Sequence, residues 1–357
     1  MRRIKIGNKF IGEGDPCFVV AEAGANANSD TSLARELVLK AAWAGADAIK
    51  FQNYRAERLV TKDAPKYYVD TMEEFEKRGR PKGFQIDEFK LLDSLPRETF
   101  KELSKLSDRS KIIFFSTPFD EENADLLAEI GVPAYKIASA DIDYLAFLKY
   151  VAKKGKPMIL STGAASLDEV REAVKAVEQA GNHDIVLLHC ILSYPTRFED
   201  ANLLMMQNLQ QEFPNIPIGI SDHSLGTLVP SLAVALGARM IEKHFTLDKS
   251  LPGSTDHFMS VDPAELKKLV EDARHAEAAL GSKNKQPVGS EADALKYARR
   301  SLVAAVSIKK GASINNQMLI CKRPGTGIAP KALEKVIGKQ AAVDIPQDSV
   351  LQWEMLT

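Results

Sequence analysis

The sequence predicts an α/β protein: a (β/α)₈ barrel followed by a small C-terminal module. Three observations carry this. Eight short β-rich runs alternate with amphipathic helical patterns between Cys17 and about Thr246. Each run is apolar first and polar at its C-terminal end. The residues from about 299 onward are too few to be more barrel and contain a weak internal repeat. Strict β–α alternation implies a parallel sheet. Eight runs favour a closed barrel over a doubly wound sheet, since no GxGxxG follows the first strand.

The runs are CFVVAEAG (17–24), DAIKFQNY (47–54), KIIFFSTPF (111–119), AYKIASAD (134–141), PMILSTGA (157–164), DIVLLHCI (184–191), PIGISDH (217–223) and RMIEKHFT (239–246). Between them, stretches such as LARELVLKAAWAG and LDEVREAVKAVEQAG read as helices ending in Gly, which tolerates the left-handed turn of a helix end. A helix from Pro263 to about Leu280 can close the barrel. Residues 1–282 are therefore assigned to the barrel, 283–298 to a polar linker, and 299–357 to the tail module. In the tail, AAVSIKKGASINNQML (304–319) matches AAVDIPQDSVLQWEML (341–356), with Ile308 aligned to Ile345 and Ile314 to Leu351. Two such units suggest a pseudo-symmetric module, and KRPGTGIAP between them displays Lys322 and Arg323. The charged and aromatic segment Arg55–Pro96, including KYYVDTMEEFEKRGRPKGF, reads as a loop over the barrel mouth or as a surface insertion.

Composition bounds the function. The chain has 357 residues, 45% hydrophobic and 27% charged, with a formal net charge of −1 and both signs interspersed. A nucleic-acid or polybasic membrane binder needs a basic surface, so neither is expected. No apolar run approaches the roughly 20 residues that span a bilayer. MRRIKIGNKF lacks the apolar stretch of a signal peptide. Cys17, Cys190 and Cys321 have no CxxC spacing and read as buried thiols in a reducing compartment, hence the cytoplasm.

Side chains at the C-terminal ends of barrel strands form the active-site floor, and period-two alternation decides which point inward together. Glu22 and Gly24 share a face, as do Lys50 and Gln52, Ser221 and His223, and Glu242 and His244. His223 and His244, on neighbouring strand ends, can supply half of a metal shell; the alternative is two structural histidines. Lys50 and Lys136 end apolar strands, where burial is costly unless an anion meets them. That anion is a phosphate or carboxylate ligand, or else an internal partner such as Glu22 or Asp141. Hydroxyls of Ser116, Thr117, Ser139, Ser161 and Thr162 can add hydrogen bonds to an anion. Glu22 can act as a base or as counter-ion to Lys50. No nucleophile triad stands out, because Cys190 and His189 are adjacent on one strand and point apart.

With these residues in view, the chain resembles the N-acetylneuraminate (sialic acid) synthase family, which includes legionaminate, pseudaminate and spore-coat polysaccharide synthases. The matching pieces are VVAEAGAN, GADAIKFQ, RAERLVTKDAPK, FFSTPFD, GVPAYKIAS, GKPMILSTG, LLHC, IGISDHSLGT and ALGARMIEKHFTLD, with SLVAAVSIKKG and KRPGTGI in the tail. The resemblance implies a barrel followed by an antifreeze-like (SAF) domain in a domain-swapped homodimer. In such a dimer Arg323 of one subunit reaches the sugar's N-acetyl group in the other. It also implies that His223 and His244 bind a divalent ion, usually Mn²⁺, with Mg²⁺ or Co²⁺ as alternatives. Lys50, Thr117, Lys136, Ser139, Ser161 and Ser221 would hold phosphoenolpyruvate. Gln52, Asp141, Tyr194 and Asp256 fall at sugar-side positions, and Glu22 would position water or a base. The chain departs from the family pattern at Ala27-Asn28-Ser29, at Ile191-Leu192, and at Gly253-Ser254-Thr255-Asp256-His257, which is one residue longer than usual. The leading expectation is a synthase condensing phosphoenolpyruvate with an amino-sugar aldehyde. The alternatives are a synthase for another aldose and a sugar-binding barrel without turnover.

Overall fold

A computed structural model describes residues 1–66, 83–92 and 95–357. It divides into two compact units, Met1–Gly281 and Ser282–Thr357.

The first unit is a closed, all-parallel barrel. Its strands are β3 (Phe18–Gly24), β4 (Ala48–Asn53), β5 (Ile113–Pro118), β6 (Tyr135–Ile137), β7 (Met158–Ser161), β8 (Ile185–Cys190), β9 (Ile218–Asp222) and β10 (Met240–His244), with β10 closing onto β3. Each lies within one predicted run. The strands are almost wholly buried, as expected when barrel side chains fill one side and helices cover the other. A hairpin of β1 (Ile4–Ile6) and β2 (Lys9–Ile11) precedes them. It packs Gly7 against Ile113 at the start of β5 and so covers the N-terminal face, leaving the opposite face for chemistry.

Local chemistry sets the helix ends. Asp30 caps Thr31–Trp43 by accepting from the backbone of Ser32 and Leu33. Ser166 and Glu169 form a capping box on Leu167–Gln179, and Asp262 and Glu265 form another on Pro263–Leu280, with Pro in its first turn. Glu121–Ile130 ends at Gly131, whose φ is 81°.

Within the predicted mouth loop, the described residues hold a helical turn, Ala56–Leu59, and a helix, Gln85–Leu91. Residues 67–82 of that segment, and 93–94, lie outside the described residues.

The second unit contains β11 (Ser301–Ala304) paired with β12 (Leu319–Lys322) and a core of Leu302, Ile308, Ile314, Val336, Ile345 and Leu351. The repeat is visible in the backbone. Ile308 and Ile345 exchange two N–H···O bonds of 2.8 Å each. Ala305 N donates to Met318 O, and Ala342 N donates to Met355 O in the equivalent place. Gly311 and Asp348, which also correspond, both have positive φ, 84° and 66°. The 283–298 stretch carries short helical turns at Gly289–Glu291 and Ala294–Ala298, the first closed by Glu291 accepting from Val288 N. One expectation needs correction here. Cys321 is half-buried rather than buried, because β12 is covered only on alternate residues.

Candidate active site

Strand register places the charged residues. Glu22 on β3 is paired with Lys50 on β4 and with His244 on β10, and Glu242 on β10 is paired with Ser221 on β9. The ladder shifts between Glu22 and Gly24, where the backbone turns to φ 47°. A Cβ on Gly24 would stand 2.9 Å from Glu22 Oε1 and 3.2 Å from Gln52 Nε2, so the glycine leaves room for that hydrogen bond.

A cavity of about 420 Å³ opens at the C-terminal face. Glu22, Lys50, Gln52, Thr117, Lys136, Ser139, Asp141, Ser161, Tyr194, Ser221, His223, His244 and Asp256 all line it, so thirteen of the fourteen predicted site residues share one space. Arg323 belongs to the second unit. Cys190, Leu59, Val60, Phe89, Leu92, Leu192 and Phe258 add apolar wall. The flanks of the predicted mouth loop do therefore border the cavity.

Its floor is ionic and buried. Lys50 Nζ is 2.6 Å from Glu22 Oε2 and 3.6 Å from Glu242 Oε1, and it donates to Thr117 Oγ1 at 3.0 Å. Lys136 Nζ is 3.5 Å from Glu242 Oε1 and donates to Ile137 O. Of the internal partners weighed for the lysines, Glu22 meets Lys50, but the ion pair of Lys136 is with Glu242 and not Asp141. Glu242 is the residue sequence reasoning missed. Its shared face with His244 was the available signal. It also accepts from Ser221 Oγ at 3.0 Å.

Burial raises the Glu22 carboxyl to about 7 against the pull of Lys50. Burial acts on Glu242 in the same direction, but Lys136 and Lys50 outweigh it and hold that carboxyl at about 2. Burial lowers the Lys136 ammonium despite Glu242, whereas on Lys50 the two carboxylates overcome burial and raise it. Asp141, desolvated and near Asp143, rises to about 6. Glu242 Oε2, Ser161 Oγ, Asp141 Oδ2 and His244 Nδ1 are buried and make no hydrogen bond among the described residues. Such atoms are costly unless a ligand or water meets them.

At the other side of the floor, the His223 and His244 rings have centroids 5.3 Å apart, with Tyr194 tilted over His223 at 4.1 Å. His223 Nδ1 donates to Ile191 O at 2.8 Å, which leaves Nε2 for a ligand. His244 Nδ1 lies 3.5 Å from Asp256 Oδ2. Burial, then the charges of His223 and Lys50, drive His244 well below the ordinary imidazole value, so its ring is neutral.

Comparison with known proteins places this geometry. The NeuB family model matches residues 37–285, and the SAF domain model matches 299–357. The chain belongs to the NeuB family. Over 353 residues it is 43% identical to N,N'-diacetyllegionaminic acid synthase of Legionella pneumophila, covering 98% of this chain and 97% of that one. It is 33% identical to N-acetylneuraminate-9-phosphate synthase of Homo sapiens, covering 98% and 95%. The crystal structure of N-acetylneuraminic acid (sialic acid) synthetase from Leptospira borgpetersenii, in complex with citrate, superposes with a TM-score of 0.71 at 38% identity, covering 82% and 94%. This NeuB chain is thus an enzyme of the sialic and nonulosonic acid synthase family, and its tail is a SAF domain. No described helix is long and apolar enough to cross a membrane.

Proposed function

We propose that the chain condenses phosphoenolpyruvate with the open-chain aldehyde of N-acetylmannosamine or a related hexosamine. One observation carries the reading: Lys50, Lys136 and the Thr117, Ser139, Ser161 and Ser221 hydroxyls share a cavity with two imidazoles. The lysines and hydroxyls answer the phosphate and carboxylate of one substrate, and the imidazole side answers the aldehyde of the other.

In the reaction, the methylene carbon of phosphoenolpyruvate forms a bond to the aldehyde carbon, whose oxygen takes a proton and becomes a hydroxyl. Water adds to the phosphate-bearing carbon and gives up a proton. The bond from that carbon to the phosphate oxygen then breaks and phosphate leaves. Glu22, poised near neutrality, takes the proton from water. Glu242 keeps both ammonium groups aimed at the cavity. Gln52, Asp141, Tyr194 and Asp256 orient the sugar.

A divalent ion, Mn²⁺ by family resemblance with Mg²⁺ or Co²⁺ as alternatives, would be held by His223 and His244 and would polarise the aldehyde oxygen. The neutral His244 ring, whose Nδ1 makes no hydrogen bond among the described residues and which lies close to a second imidazole, fits that role. Among the described residues no cluster of three His, Cys, Asp or Glu side chains is arranged to enclose an ion, so water or substrate would complete the shell. The same reading makes the active form a cytoplasmic, domain-swapped homodimer in which Arg323 contacts the N-acyl group across subunits.

The test is phosphate release by the purified chain. Release is expected only with phosphoenolpyruvate, Mn²⁺ and a hexosamine together, and bridging-¹⁸O phosphoenolpyruvate should deliver its label to phosphate. No release across N-acetylmannosamine and its 6-deoxy diacetamido analogues overturns the reading.

A further inference from the structure

Three cavity-lining residues, Thr255, Asp256 and Phe258, come from the loop after β10 rather than from a strand. An amide from the loop after β3 ties that loop down, beside the bonds that Ser260 and Thr246 make to it. Asn28 Nδ2 donates to Pro252 O at 2.9 Å, and Asn28 Oδ1 accepts from Ser254 N at 3.0 Å. Asn28 Oδ1 also lies 3.3 Å from His257 Nε2, and the other ring nitrogen of His257 lies 2.7 Å from Thr246 Oγ1. One side chain therefore touches the loop at Pro252 and Ser254, ahead of the turn that carries Asp256, and at His257 within it.

The backbone is shaped to admit that amide. Gly253 has φ +99°, and a Cβ there would stand 2.6 Å from Asn28 Oδ1, so no other residue fits without displacing the side chain. Asn28 itself has φ 49°, a left-handed conformation that asparagine tolerates better than most residues. Asn28 does not line the cavity; its influence passes through Asp256, whose Oδ2 is 3.5 Å from His244 Nδ1.

We propose that Asn28 is a positioning residue, an amide clamp that holds the Pro252–His257 loop and so sets how the sugar side of the cavity receives its acceptor. This rests on the proposed function for its substrate, not for its geometry. The loop reaches the cavity beside His244, while the anion side is built from Lys50, Lys136 and strand-end hydroxyls, so losing the clamp should act unequally on the two substrates.

The experiment compares the full chain with Asn28→Gly, which keeps the left-handed backbone and deletes the amide, and with Asn28→Asp, which keeps the acceptor and deletes the donor. In the glycine variant, KM for the hexosamine should rise at least tenfold while KM for phosphoenolpyruvate stays within twofold. Amide hydrogen exchange in residues 253–258 should accelerate at least tenfold, with the aspartate variant between the two. Unchanged exchange in that segment, or equal rises in both KM values, overturns the proposal. If the wild-type chain turns over no hexosamine, the proposed reaction fails, and the exchange measurement alone still decides for or against the clamp.

Discussion

Glu22 Oε2 and Lys50 Nζ stand 2.6 Å apart at paired positions of neighbouring strands, with side chains only 1% and 4% exposed. The rigid ladder, not a loop, sets their separation, so neither charge can relax into water. Desolvating the pair costs more than an exposed ion pair ever returns. A site that is to hold an anion and move a proton needs this arrangement; a merely stable barrel does not.

Replacing Glu22 by Gln tests the carboxylate's part. The amide keeps the volume but cannot accept a proton. On the scale of general base catalysis, kcat should fall by about 10²–10⁴-fold, with KM for phosphoenolpyruvate little changed because Lys50 and Lys136 remain. Steady-state kinetics beside a thermal melt separate this from misfolding.

Asp141 gives a pH dependence whose sign is fixed. Its carboxyl is raised to about 6, so it is mostly ionised at pH 8 and mostly protonated at pH 5. If the ionised form accepts hydrogen bonds from the sugar, hexosamine affinity should weaken about tenfold as pH falls from 8 to 5, one acid limb of a single group. Asp141→Asn should bind with no such limb. Calorimetric titration of the hexosamine alone reads both, without turnover contributing.

Much of this is legible in the sequence itself. Each run that is apolar and then polar contains a barrel strand, because a closed parallel barrel buries both faces and frees only its ends. Two-residue parity put Lys50 with Gln52 and Ser221 with His223, since pleating leaves no other choice. In the tail, alignment of Ile308 with Ile345 anticipated their reciprocal hydrogen bonds. Partnerships between strands distant in sequence were not legible. Lys136 sits on β6 and its partner Glu242 on β10, and the reach of two long side chains across a barrel leaves no mark in periodicity. The N-terminal hairpin was also missed, its strands of three residues being too short to show a period. The departures at Asn28 and Ser254 were visible singly, but only the structure brings them into contact.

Another buried ion pair, outside the cavity, predicts a stability effect. Lys243 has a wholly buried side chain, with Nζ 2.6 Å from Asp222 Oδ2 and a further bond to Ser224 O. Asp222→Asn strands that ammonium without a counter-charge. The expected loss is about 3–5 kcal/mol, read as a lower urea midpoint with an unchanged slope. A loss near zero would mean that the lysine finds water or sheds its proton.

The pseudo-symmetric tail makes the sharpest stability prediction, because it compares two sites and needs no absolute value. Ile308 and Ile345 are 2% and 1% exposed, face the same small core, and occupy corresponding positions of the repeat. Truncating either to Ala removes the same methylenes from the same environment, so each should cost about 2–5 kcal/mol, and the two within about 1 kcal/mol of each other. The pair should not be additive, since both side chains border one space and a cavity opened by the first relieves the packing lost by the second. The chain's tryptophans are Trp43 and Trp353, one in each unit, so a Trp43→Phe background leaves Trp353 to report the tail's unfolding alone. Clearly unequal costs in urea titrations of the two single variants would show that the backbone symmetry does not extend to the packing of its core.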